Sequence, residues 1–312
     1  MHITPFDTGY PDELRALPAP PNLTLSGPLD HARRVAIVGA RSPVEGAKAF
    51  AADLAHALAR AGVTVISGGA LGIDASAHRG AMSAGGATWV ISGTGCNHVY
   101  PPQHDKLFAS IAASDKSRMI WPFDDNVGPS RETFRSRNGV LVALSEVVIV
   151  VQARLQSGSR NAATWARSLG RALWVVPPLP WPPYVGSFSG CAAELARGAR
   201  PLHSIEELFR ELRLPFDHVV EGKNAHLPWH RKNQKNANNR TGAQPFPLAS
   251  DTLSSDEKLV LSNLSQVPKH LDEILETAHL GISSAFTALL TLSMKDVVVE
   301  GPDGFYRRKQ IK

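Results

Sequence analysis

From about residue 33 to residue 210 the chain keeps one rhythm. Short, wholly apolar runs alternate with stretches whose apolar residues recur every three or four positions. "VAIV" (Val35 to Val38) is the first run and predicts a buried strand. "VEGAKAFAADLAHALARAG" follows with helical spacing and stops at Gly62, a residue suited to the left-handed end of a helix. "VTVISGG" and "ATWVISG" predict two more strands, with "IDASAHRGAMSAGG" helical between them and "QHDKLFASIAAS" helical after them. "SEVVIVVQA", "SRNAATWARSLG" and "ALWVVPP" repeat strand, helix, strand. Strands apolar throughout are buried on both faces, as in a parallel sheet covered by helices. The expected fold class is α/β, an extended Rossmann-like, doubly wound parallel sheet. Right-handed crossovers then bring the C-terminal ends of the strands to one edge.

The rhythm fails at both ends. Residues 1–30 are rich in proline and predict an arm with one short helix, lying on or leading into a core at 31–210. Residues 211–252 are polar and rich in asparagine, which predicts a flexible linker. Between 221 and 250 this linker holds five Lys or Arg against one Glu. In 253–312 order returns. Ser254 and Glu257 stand at capping-box spacing, two more amphipathic segments follow, and "VVVEGPDGFYRR" reads strand, turn, strand. That pattern predicts a small winged-helix-like domain.

Composition narrows the function. The net charge of +5 favours an anionic partner. Cys96 and Cys191 make no disulfide framework, and the first residues carry no signal-peptide pattern, so a cytoplasmic setting is expected. The longest apolar run, "LVALSEVVIVV", is too short to span a bilayer and includes Glu146, so no membrane partner is expected.

The candidate chemistry collects at the predicted strand exits: "VGAR", "SGGALG", "SGTGC" and "VQARLQSGS". Ligands of open α/β sheets bind along that edge. Glycines there expose backbone, and the next helix offers free N–H groups to an anion. "GARSPVEG" lacks the dinucleotide spacing and no P-loop sequence occurs, so no cofactor is expected. Arg41 stands where a guanidinium can fork onto a phosphate, though position alone also suits a solvated loop arginine. "PSRETFRSRNGV" interleaves Arg131, Phe134, Arg135 and Arg137, which suits single-stranded nucleic acid, with phosphates on guanidinium groups and bases on a ring. Ser157, Gly158 and Ser159 form a further nest of donors at a helix start. Asp74 and His78 share a helix face, and with no nucleophile beside them they read as structural hydrogen-bonding groups rather than a catalytic pair. Cys96, His98 and His104 lack a fourth partner at zinc spacing, so no metal is expected. No catalytic constellation is identified, and the expectation is a binding protein rather than an enzyme.

"VAIVGAR", "SGGALGIDASAHRGAM", "GCNHVYPPQH", "FRSRN…ALS" and "SGS" occur in the order and spacing of the DNA-processing protein A (DprA/Smf) family, which the chain resembles over about residues 5–205. The tail is similar to the winged-helix-like domain of many members. The resemblance implies a dimeric core that binds single-stranded DNA without cutting it and loads a RecA-type recombinase during natural transformation. It also implies a DNA pocket built from Gly39, Ala40 and Arg41, from Ser67, Gly68 and Gly69, and from Arg131 and Phe134, with Asp74 and His78 bracing the loop. The chain departs from the family pattern at Gly139, at Arg160, Asn161 and Ala162, at Ala192, and in "VVPPLPWPPYVGSFSG". Two other readings remain. The same sheet edge would suit a nucleotide sensor or nucleotide-processing enzyme. The tail would otherwise be the DNA reader, but its third helix carries only Lys295 as a base, which favours a protein-interaction role for it.

Overall fold

The computed structural model describes residues 1–178, 185–215, 253–267 and 269–280, and within 284–309 residues 284–285, 288–289, 292, 297–300 and 305–309. In the first unit the chain runs β1 (His2–Ile3), α1 (Asp12–Arg15), β2 (Leu23–Leu25), β3 (Arg34–Val38), α2 (Glu45–Arg60), β4 (Thr64–Ser67), α3 (Ile73–Ser83) and β5 (Thr88–Ile91). It continues through α4 (Asp105–Ala112), β6 (Arg118–Trp121), α5 (Arg131–Ala143), β7 (Val147–Val150), α6 (Gly158–Ser168), β8 (Ala172–Val175), α7 (Ser189–Ala196), β9 (Arg200–Pro201) and α8 (Ile205–Glu211).

These strands form one nine-stranded sheet in the order β1-β2-β6-β5-β4-β3-β7-β8-β9. β3 to β9 pair in parallel, while β2 joins β6 and β1 joins β2 antiparallel. The apolar runs explain the middle of the sheet. Val35, Ile37, Val65, Ile66, Val148 and Ile149 are all buried, because helices cover both faces. α2 is rich in alanine, and its Ala47, Ala51 and Ala55 are fully buried. α3 answers with Gly80, where a Cβ would collide with the Ala52 carbonyl, so the two helices touch backbone to backbone.

The strand order reverses between β3 and β7. From β3 the chain builds outward to β4, β5 and β6; from β7 it builds the other way to β8 and β9. The loops leaving β3 and β7 therefore diverge and leave a crevice at the carboxyl ends, the place where sheets of this kind hold ligands.

Several elements exceed what periodicity predicts. The arm is part of the sheet, through β1 and β2. β6 was hidden in "SRMIW", an apolar run too short to stand out. α5 begins among charged residues, started by a capping box in which the Ser130 hydroxyl accepts from Thr133 N. Leu212 and Leu214 still pack on the main core, so the folded region passes residue 210.

The chain divides into two compact units, Met1–Asn239 and Arg240–Lys312. Most of the expected linker, residues 216–252, lies outside the described residues. The second unit contains α9 (Ser255–Asn263), α10 (Leu271–Ala278), β10 (Lys269–His270), β11 (Val298–Glu300) and β12 (Phe305–Arg308). Its antiparallel sheet runs β10-β12-β11, over a core that includes Val260, Ile274, Leu289, Leu292 and Tyr306. The Ser254 and Glu257 capping box forms with both of its hydrogen bonds. Lys295 and the Gly-Pro-Asp-Gly turn lie outside the described residues.

Candidate nucleic-acid interface

The loop leaving β3 is held close to α3. A Cβ on Gly39 would strike the side chain of Ile73, and the Ile73 amide donates to the Ala40 carbonyl at 3.1 Å. Gly72, with φ +83°, lets the chain turn directly beneath the Ala40 and Arg41 carbonyls. On the other side Val44 N donates to the Gln152 side-chain oxygen at 3.0 Å, which ties this loop to the segment after β7. Arg41 is thereby aimed at α5, and its guanidinium lies over the Phe134 ring, 5.5 Å from the centroid.

Phe134 is the hub. Its ring seats against Gly93, where a Cβ would collide with it, and meets the Tyr100 ring at 5.3 Å between centroids with a 41° tilt. The face of α5 that carries Phe134 continues through Arg137, Asn138 and Leu141, the spacing of one helical stripe. Arg137 is only 5% exposed. Its Nη1 donates to the carbonyls of Gly68 and Ile91, the exits of β4 and β5. Burial draws its pKa down to about 10; Arg41 pushes the same way and Asp74 opposes, so the guanidinium stays charged at neutral pH.

Asp74 and His78 act from below. The buried Asp74 carboxylate accepts from Ala70 N at 3.3 Å. Burial pushes this carboxyl above its ordinary range, against the pull of Arg137 and of the Ala70, Gly68 and Gly39 amides. The groups that oppose the shift come from the exits of β3 and β4 and from α5. His78 is fully buried, with Nδ1 2.7 Å from Thr88 Oγ1. That hydroxyl gives its own proton to Val65 O, so His78 Nδ1 is the donor and Nε2, which has no partner, is bare. Burial first, then His104, Arg137 and Arg79, lower the His78 pKa to about 3 and keep the ring neutral. His78 thus braces β4 and β5 from inside.

Ser67, Gly68 and Gly69 are buried. Ser67 is buried and its hydroxyl donates to Ile37 O at 2.6 Å. A Cβ on Gly68 would overlap the Arg137 guanidinium, and one on Gly69 would meet Phe108 and Val90. These two glycines line a pit of about 40 Å³ together with Tyr100 and Phe134. Their glycine character serves the internal packing of Arg137 and Phe108. His104, considered above as a metal ligand, is buried and bonded to Gly69 O at 3.0 Å, while His98 bonds Asn126 O. Among the described residues no cluster of metal-binding side chains occurs.

The start of α6 closes the crevice. Ser157 has the backbone of an N-cap (φ −132°, ψ 151°), yet its hydroxyl caps nothing and is buried without a partner. No acid stands in the first helical turn. An uncapped N-terminus of this length presents free N–H groups and the positive end of a helix dipole. Asn138 holds the turn in place, its Nδ2 3.3 Å from Gly158 O and 3.1 Å from Asn161 Oδ1.

Two connected cavities result. The inner one, about 290 Å³, is walled by Gly39 to Arg41, by Phe134 and Asn138, and by Ser157 to Ser159. The outer one, about 1180 Å³, shares Arg41, Phe134, Ser157 and Gly158 with it. Arg41, Arg131, Arg135, Arg160 and Arg197 line the outer cavity, and no acidic side chain does so among the described residues. The structure therefore brings Arg41, Arg131, Phe134, Arg135, Ser157, Gly158 and Ser159 together at one trough. Sequence reasoning missed Tyr100, Asn138, Gln156 and Arg160 as lining residues. For Asn138 a signal was present, in the stripe through 134, 137, 138 and 141. For Arg160 there was none, because its position depends on α7.

Comparison with known proteins agrees with this architecture. The family described as DNA recombination-mediator protein A matches residues 1–213, and the DprA winged helix domain matches residues 244–304. The chain is 32% identical to Protein Smf of Synechocystis, over 98% of this chain and 80% of that protein. It is 31% identical to DNA processing protein DprA of Bacillus subtilis, over 65% of this chain and 68% of the relative. Among solved structures, DprA from Streptococcus pneumoniae superposes with a TM-score of 0.63 at 26% identity, covering 70% of this chain and 75% of the other. DprA from Helicobacter pylori, described for its single-stranded DNA binding mode, superposes with a TM-score of 0.58 at 30% identity, covering 65% and 92%. With the α/β core and the winged-helix tail each matched in its own place, this chain belongs to the DNA recombination-mediator protein A (DprA/Smf) family.

Proposed function

We propose that this protein binds single-stranded DNA in the trough between the β3 loop, α5 and the start of α6, and holds it without cutting it. The observation that carries this reading is the Arg41 guanidinium 5.5 Å from the Phe134 ring centroid, at the mouth of a cavity lined by five arginines and, among the described residues, by no acid. A guanidinium and an aromatic face side by side suit a phosphate and the base attached to it. In this reading Arg41, Arg131 and Arg135 neutralise phosphates. Phe134 stacks a base, and the α6 amides near Ser157, Gly158 and Ser159 receive a further phosphate. Gly39 and Ala40 let the strand approach the backbone. The outer cavity is larger than the roughly 300–1,000 Å³ that small-molecule pockets occupy, which favours a polymer over a free nucleotide. Asp74 and His78 are engaged in internal hydrogen bonds, in keeping with binding rather than bond cleavage. Loading of a RecA-type recombinase, a homodimeric state and a part in natural transformation belong to the same proposal and rest on family likeness.

The test is fluorescence anisotropy with labelled single-stranded DNA. Arg41→Glu is expected to abolish binding while leaving the thermal midpoint nearly unchanged, because Arg41 is exposed and, among the described residues, no ion pair holds it. Wild-type affinity in that variant would end the reading. The inner cavity, at about 290 Å³, would also accept a mononucleotide, so calorimetry with nucleoside monophosphates against oligonucleotides separates the two ligand classes.

A further inference from the structure

At the far wall of the outer cavity, α6 and α7 share a buried charge cluster. Glu194, on α7, has a side chain only 1% exposed. Arg160 reaches it from α6 with Nε 2.7 Å from Oε1, and Arg167, two turns further along the same face of α6, approaches Oε2 at 2.5 Å. Arg197 stands 3.8 Å from the same carboxylate. One acid therefore faces three guanidinium groups, and the cluster keeps a positive excess. Burial alone would raise the Glu194 pKa, but the hydrogen bonds and charges of Arg160 and Arg167 outweigh it and hold the carboxyl below its ordinary range.

The geometry of Arg160 is that of a braced ligand rather than a neutralised ion pair. Its Nε is spent on Glu194 and its Nη1 donates to Leu155 O at 2.7 Å. A guanidinium has five N–H groups, so three remain for something else. Arg160 and Arg197 line the outer cavity from α6 and the end of α7, whereas Arg131 and Arg135 line it from α5. A long side chain fixed at two points loses little further freedom when it binds, which raises what each new hydrogen bond contributes.

We propose that Arg160 and Arg197 form a second phosphate station, past the Phe134 platform, with Glu194 as the positioning residue that holds Arg160 across the cavity. This rests on the reading of the trough as a single-strand groove and adds to it a longer footprint. The strand would run from Arg131 and Arg135, over Phe134, to Arg160. Sequence alone places Arg160 at a departure from the family pattern, on or near the functional edge, and gives it no role.

The test uses the full chain and oligothymidylates of about four, eight and twelve nucleotides, a range that brackets common single-strand site sizes. With Arg160→Gln the loss of affinity should be small on the shortest and grow to about tenfold on the longest, the value of one charge-assisted contact. Its salt slope should become shallower by about 0.7, the share of one phosphate. Glu194→Gln removes a negative charge, so simple electrostatics would tighten binding; a positioning role predicts weaker binding to the longest oligonucleotide. Unchanged length dependence and salt slope in Arg160→Gln, or tighter binding in a folded Glu194→Gln, would overturn the second station. If Glu194→Gln does not fold, Arg160→Gln decides alone. Arg41→Glu should lose every length equally. A wild-type protein that binds none of them would instead refute the groove itself.

Discussion

At the scale of single residues, the site works by pairing each exposed group with a buried one. Phe134 presents a face to the trough because Gly93 leaves room behind it and Arg137 lies beneath. Phe134→Ala should weaken single-strand binding by about 1–3 kcal/mol for the base it stacks, measured by anisotropy. His78 yields a different prediction. Its folded pKa of about 3 lies below the unfolded value near 6.5, so as the pH falls through that window the unfolded chain takes up a proton that the folded chain refuses. Stability from this group is complete above pH 6.5 and is lost on acidification. Asp74, with its folded pKa raised, contributes with the opposite sign, so the comparison must be with a variant. Between pH 7 and 5, urea unfolding should show wild type losing about 2 kcal/mol relative to His78→Gln. Equal losses would mean that His78 is protonated in the folded state. These residues were only partly legible beforehand. Arg41 and Phe134 could be singled out because basic and aromatic types at a strand exit have a chemical meaning by themselves. The inward turn of Arg137 could not, because it depends on carbonyls of Gly68 and Ile91 that come from elsewhere in the chain.

At the scale of elements, the trough depends on how closely α3 lies to its neighbours. Gly80 meets the Ala52 carbonyl and Gly72 meets the Ala40 and Arg41 carbonyls, so neither position has room for a methyl group. Gly80→Ala should destabilise the fold by about 1–3 kcal/mol through overpacking, seen as a lower urea midpoint. Gly72→Ala adds the strain of φ +83° and should displace the Arg41 loop, so binding should fall further than stability alone explains. The regular elements were readable from periodicity because each carries a full stripe or run of apolar residues. α5 was not, since its first half faces the trough and is charged, and an amphipathic stripe appears only when Arg137 is counted as buried. Function and periodicity compete for the same positions there, and function prevails.

At the scale of the whole molecule, the two units have separate hydrophobic cores. A chain cut after residue 215 should therefore fold by itself and keep single-strand affinity, since all the lining residues described above precede that point. The affinity of either form should fall linearly with the logarithm of salt concentration, with a slope of about −2 from Arg41, Arg131 and Arg135 and about 0.7 steeper on strands long enough to reach Arg160. A flat dependence would rule out a phosphate track. The reversal of strand order at β3 and β7 explains why one crevice, and no other strand exit, gathers this chemistry. That the strand exits share one edge followed from the alternation of strands and helices; the point of reversal did not. The arm's place in the sheet did not, because strands of two and three residues carry no period.

The arm also sets a timetable for synthesis. Thr24 and Leu25 pair with Trp121 and Ile120, residues made almost a hundred positions later. Until β6 has left the ribosome, β2 is paired only with β1, and the edge that β6 will take keeps its N–H and C=O groups in water. The prolines at 18, 20 and 21, just before β2, offer no amide donors to a stray strand that would extend along that stretch.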